Sequence, residues 1–89
     1  MTNKYEAKAS ILAWELIDKL NDMTGETFDA YGFDRLGVKG KKGFRVSDAS
    51  FRTSINVSGS TWSDVCDSAM AALAVCNVIE SSINETKEG

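Results

Sequence analysis

The chain has 89 residues, of which 43% are hydrophobic and 26% charged, with a net charge of −3 and no histidine. That composition excludes a disordered chain and allows one domain with a small core. The sequence offers neither an apolar segment like that of a signal peptide near Met1-Thr2-Asn3-Lys4 nor an uninterrupted apolar run of about 18 residues, so a soluble, cytoplasmic protein is expected.

The first element is a helix over about Lys4 to Met23. Tyr5, Ala9, Leu12, Leu16, Leu20 and Met23 recur at three- and four-residue steps, with Ile11, Ala13 and Ile17 widening the stripe. Asn3 supplies an N-cap with Glu6 three positions on, and Thr24-Gly25 supplies the stop. Glu15 and Lys19 are placed to pair across one turn. Trp14 lies off the centre of the stripe and is expected at the core edge.

A strand follows over Glu26 to Phe33, with Gly32 a candidate bulge because aromatic parity switches between Phe28 and Tyr31. Residues 34–43 hold three glycines and four cations and read as a solvated loop. Phe44 to Val46 and Phe51 to Val57 then read as a hairpin. Both apolar sets share a face only if an even-numbered residue pairs with an odd-numbered one, which centres the turn on Asp48-Ala49. That register sets Val46 opposite Phe51 and Phe44 opposite Thr53. On the other face Arg45 falls opposite Arg52, a like-charge pair that destabilises by up to about 1 kcal/mol and that either splays apart into water or is presented to an anion or acidic partner.

Ser58-Gly59-Ser60 leads into a final helix from about Trp62 to Ile83, capped by Thr61 with Asp64 and Asp67 near its positive end. Within it Ala69 to Cys76 has no polar side chain other than the cysteine thiol, so this helix is expected to be enclosed on more than one side. The first helix lying alongside supplies one cover; a second copy of the chain, as a homodimer through Ala69-Cys76, is the other. Residues 85–89 have nothing to bury and are expected to fray outside a single domain of residues 1–84. Cys66 and Cys76 stand about 15 Å apart on one helix, too far for a disulfide, and read as small buried hydrophobes. The sequons at Asn56 and Asn84 read as chance matches.

The expected architecture is therefore α+β in the order α-β-β-β-α, a three-stranded antiparallel sheet with two helices packed on one face. Its charge is segregated. Arg35, Lys39, Lys41, Lys42, Arg45 and Arg52 lie within 18 residues against Asp48 alone, while the remainder carries four lysines against twelve acids. This is a basic centre on an acidic body.

The absence of histidine removes the commonest general base and the Ser-His and Cys-His nucleophile pairs. Neither a metal-ligand spacing nor a cofactor motif is visible, and Asp29 and Asp34 read as solvated loop acids. Gly37 to Gly43 lacks the phosphate-loop spacing and precedes a strand where that motif needs a helix. A non-catalytic protein without cofactor or metal is expected, its six cations forming a partner- or anion-binding site with Tyr31 and Phe33 as candidate aromatic contacts.

The element order and basic loop are similar to those of double-stranded RNA-binding domains, which grip phosphates with a cationic start to the last helix. Here that helix opens Thr61-Trp62-Ser63-Asp64 and carries no lysine or arginine through Ile83, so the likeness is one of layout. In size, lack of histidine and segregated charge the chain resembles phage-encoded anti-defence proteins, including anti-CRISPR inhibitors. That resemblance implies an inhibitor docking its basic hairpin on an acidic patch of a host nucleic-acid-handling protein, in the host cytoplasm. Direct nucleic-acid binding through the same cations is the second reading.

Overall fold

The computed structural model describes residues 3–88, with side-chain surroundings through residue 82. The chain is α+β. Its elements are α1 (Lys4–Thr24), β1 (Phe28–Gly32), α2 (Phe33–Leu36), β2 (Lys42–Asp48), β3 (Ser54–Gly59) and α3 (Trp62–Glu88). The three strands form one antiparallel sheet in the order β1-β2-β3.

Both ends of α1 and the start of α3 have the caps that the sequence specifies. Asn3 Oδ1 accepts from the Tyr5 N–H at 2.8 Å, Gly25 closes α1 at φ 75°, and Thr61 Oγ1 accepts from the Asp64 N–H at 3.2 Å. The short strands alternate directions, so α1 and α3 run parallel on one face of the sheet. Two contacts fix their alignment. The Cys66 thiol donates to the Tyr5 carbonyl, and Lys19 Nζ pairs with Glu80 Oε1 at 3.2 Å. Both pairs are 61 residues apart in sequence, so the helices keep one register from Tyr5 to Lys19. Lys19 thus reaches across to α3 and not along α1 to Glu15, and as a partly exposed pair this contributes on the order of 1 kcal/mol or less.

The core lies between the helices and the sheet. Leu16, Val46, Val57, Val65 and Ala69 are fully buried, joined by Phe28, Leu12, Ile17, Leu20 and Phe44. α1 packs over β1 and β2, and α3 over β3 and β2. Cys66 and Cys76 are both buried free thiols.

Four expectations change. Gly32 is no bulge: β1 pairs continuously with β2, and Gly32 precedes a single helical turn, α2, absent from the sequence reading. The hairpin turn is longer than expected, and Phe44 faces Val57 while Val46 faces Ile55. α3 continues to Glu88, past Asn84, where the sequence placed the start of a frayed tail. Finally, α3 is covered on one side only. Ala69 and Cys76 are buried, but Met70, Val75, Val78 and Ile79 are 41–66% exposed. Over Trp62–Ser82 this helix also has the length of a membrane span, at a marginal mean hydropathy of 1.2.

Candidate functional site

Strand alternation divides the sheet into two faces. Phe44, Val46, Ile55 and Val57 turn to the helices. Tyr31, Arg45 and Asn56, which are register partners across the three strands, form a row on the open face. Arg45 is half-buried and its Nε–H donates to Asn56 Oδ1 at 2.8 Å. The hydrogen bond holds the guanidinium against the sheet.

Asp48 shapes the end of this face. Its buried carboxylate accepts from the Arg52 N–H at 2.9 Å, the Thr53 N–H at 3.3 Å and the Ser50 hydroxyl at 3.1 Å. Short polar side chains that capture backbone N–H groups two to five residues on make this kind of compact loop. The loop folds back over the open face, burying Ser47, whose hydroxyl donates to the carbonyls of Asp48 and Thr53. Phe51 sits at its apex with φ 57° and 59% exposure, its ring centroid 5.6 Å from that of Tyr31. An aromatic pair therefore lies one residue's width from Arg45.

The six cations do not form a single cluster. Arg45 holds the middle of the open face, and Lys41 is exposed just before β2. Lys42 has the opposite parity and places its ammonium 6.0 Å from the Trp62 ring centroid, on the helix side. Arg35 is exposed in α2, and Lys39 is exposed in the loop that follows. Arg52 is exposed beyond the far end of β2, about 20 Å from Lys41 by strand rise. Of the two aromatic candidates, Tyr31 is on the open face, but Phe33 is buried at 5% exposure and cannot contact a partner. Phe51, which the sequence places in a core-facing strand arm, is the second aromatic beside the open face. Its signal was the cluster Ser47-Asp48-Ala49-Ser50, which favours a local loop over an extended arm.

A concavity of about 380 Å³ lies on the helix side between α1 and β1, walled by Trp14, Ile17, Phe44 and Trp62 over Ala30 and Gly32. Trp14 is 65% exposed there and not packed at the core edge. Among the described residues, three or more His, Cys, Asp or Glu side chains nowhere gather as a metal site would need.

Charge follows the layers. The two helices carry four cations against nine acids, whereas residues 25–61 carry six cations against four acids, one of them the buried Asp48. No family model, curated protein or solved structure matches the chain.

Proposed function

We propose that the protein is a non-catalytic binding protein that docks the open face of its sheet on an acidic surface of a protein partner. The observation that carries this reading is the separation of charge, six cations against four acids in residues 25–61 and four against nine in the two helices, with Arg45 fixed on the open face. A basic face approaching an acidic patch gains association rate and orientation from the field of both molecules. The helix layer then points away from the contact and presents a negative surface. That surface would repel nucleic acid from the partner, so the partner is proposed to be a nucleic-acid-handling protein and the effect inhibition, as in phage anti-defence proteins of the anti-CRISPR kind.

One observation favours a second reading, direct binding of single-stranded nucleic acid. Tyr31 and Phe51 lie beside Arg45 on an open sheet face, and aromatic rings with a neighbouring guanidinium stack bases. The acidic net charge opposes it.

Fluorescence anisotropy with labelled single- and double-stranded oligonucleotides at low and moderate salt separates the two readings. The inhibitor reading expects no binding at low salt, together with capture of one protein by the wild type and its loss with Arg45→Glu/Arg52→Glu. Micromolar binding that falls steeply with salt and is lost in the double variant would replace it with the nucleic-acid reading.

A further inference from the structure

Two unguarded features lie along the same side of the molecule. The first is β3, an edge strand whose residues Ser54–Gly59 carry no charge and no proline. Edges are ordinarily blunted by such residues, because free N–H and C=O groups recruit any strand that arrives. Parity identifies the free groups. The Asp48 N–H donates to the Thr53 carbonyl, so even-numbered residues of β2 turn their backbone groups toward β3, where 55 and 57 answer them. Ser54, Asn56 and Ser58 therefore direct theirs outward. The opposite edge is guarded: β1 carries Asp29, its Phe28 N–H is taken by Asn21 Oδ1 at 2.8 Å, and Gly32 turns into α2.

The second feature is the flank of α3 remote from α1, which overhangs that β3 edge because α3 packs over β3. At helical spacing this flank is Ser68, Ala71, Ala72, Val75 and Ile79, and α3 has no charged residue between Asp67 and Glu80. Val75 is 59% and Ile79 46% exposed.

We propose that a second copy of this chain occupies this edge, the two β3 strands pairing antiparallel about a two-fold axis at Asn56 to make a six-stranded sheet. The register follows from self-complementarity. About that axis, Ser54 meets Ser58 of the second copy through outward backbone groups, and Ile55 meets the second copy's Val57 on the helix side. Apolar residues thus stay opposite apolar residues, and both helix layers lie on one face.

The helices fit the same axis. Gly59 abuts Asp64 and Val65. Asn56 is three strand residues back from Gly59, about 10 Å, which equals about seven residues of helix and reaches Ala71 and Ala72. The two α3 helices cross there on their smallest side chains, with Ser68 and Val75 on either side. Asp64 lies on this flank about two turns before the crossing, where the antiparallel arrangement sets it opposite the second copy's Ile79, and Asp67 and Glu80 lie off the flank, so like charges do not meet. Five paired strand residues and about three helical turns per copy give a contact on the scale of the ~800 Å² per partner that stable interfaces bury. The two Arg45 side chains then share one continuous open face.

Sedimentation equilibrium of the full chain across micromolar concentrations tests the assembly. Wild type is expected to dimerise, and Val75→Lys, at an exposed position, to weaken the dimer at least tenfold while keeping its far-UV helical signal. Asn56→Cys, oxidised by glutathione disulfide, is expected to form a covalent dimer, because residues facing each other at the axis lie about 5.5 Å apart. Ser60→Cys, far from the axis, is expected not to. A monomer at every concentration overturns the proposal, whether or not it binds anionic phospholipid vesicles through α3. So does a dimer indifferent to Val75→Lys, or one in which Asn56→Cys fails to cross-link.

Discussion

Arg45 donates its Nε–H to Asn56 across the β2–β3 pair at 2.8 Å, where strand parity alone had set a second arginine. The longer loop removes the like-charge pair by carrying Arg52 off the sheet. Restoring it is a direct test of the register. Asn56→Arg is expected to cost up to about 1 kcal/mol, from two cations directly opposite and one lost hydrogen bond, read as a lower urea midpoint with unchanged slope. Thr53→Arg, off that pair, is expected to have a smaller effect.

Asp48 carries the loop that makes this register possible. Its carboxylate accepts three hydrogen bonds while 7% exposed, so its removal strands two backbone N–H groups in a confined place. Asp48→Ala is expected to destabilise the fold by about 2 kcal/mol in urea denaturation. Asp48→Asn keeps one acceptor oxygen and is expected to lose less. The same Ala variant should release Phe51 from Tyr31, visible as a change in the near-UV signal of the tyrosines.

These two residues also mark how far the sequence could be read. The element order, the helix caps and the division of Phe44, Val46, Ile55 and Val57 from Arg45 were legible, because periodicity and capping act over a few neighbours. Register was not. Parity requires an even offset but does not choose between turns differing by four residues; that choice lay with the Asp48 carboxylate and with Phe51 accepting φ 57°. Phe33 and Phe51 were exchanged in the expected site for this reason: an aromatic side chain suits a core or a surface equally, and only its loop decides. For α3, the apolar run from Ala69 gave the helix but not its cover. A face with Val75 and Val78 outward reads in sequence like one that is enclosed.

The two thiols should behave as interior groups. Burial pushes the Cys76 thiol above its ordinary value of 9.0, with Lys19 opposing the shift and Glu80 adding to it. The unfolded chain therefore loses the proton at lower pH than the folded one. This site's contribution is constant below pH 9, and stability falls as pH rises from there toward the raised folded value. Cys76→Ala is expected to flatten that decline in melts taken across the alkaline range. A thiol reagent at neutral pH should label the native protein far more slowly than the urea-unfolded chain.

Gly43 is expected to be the least replaceable glycine, on two separate grounds. Its φ is 141°, where side chains other than glycine's are strained, and a Cβ built there would run into the Val57 carbonyl. That carbonyl belongs to the backbone of β3, so no rotamer relieves the overlap. Moving β3 away would open the Phe44–Val57 pair at the centre of the core. Gly43→Ala should therefore cost about 2–4 kcal/mol in denaturant unfolding. Gly25→Ala provides the comparison. Gly25 has φ 75° at the end of α1, but nothing lies within 4 Å of the added methyl, leaving only the left-handed cost of about 1–2 kcal/mol. Equal losses at the two positions would mean that the close approach of β2 to β3 at Gly43 is absent in solution, and with it the register that places Arg45 beside Asn56.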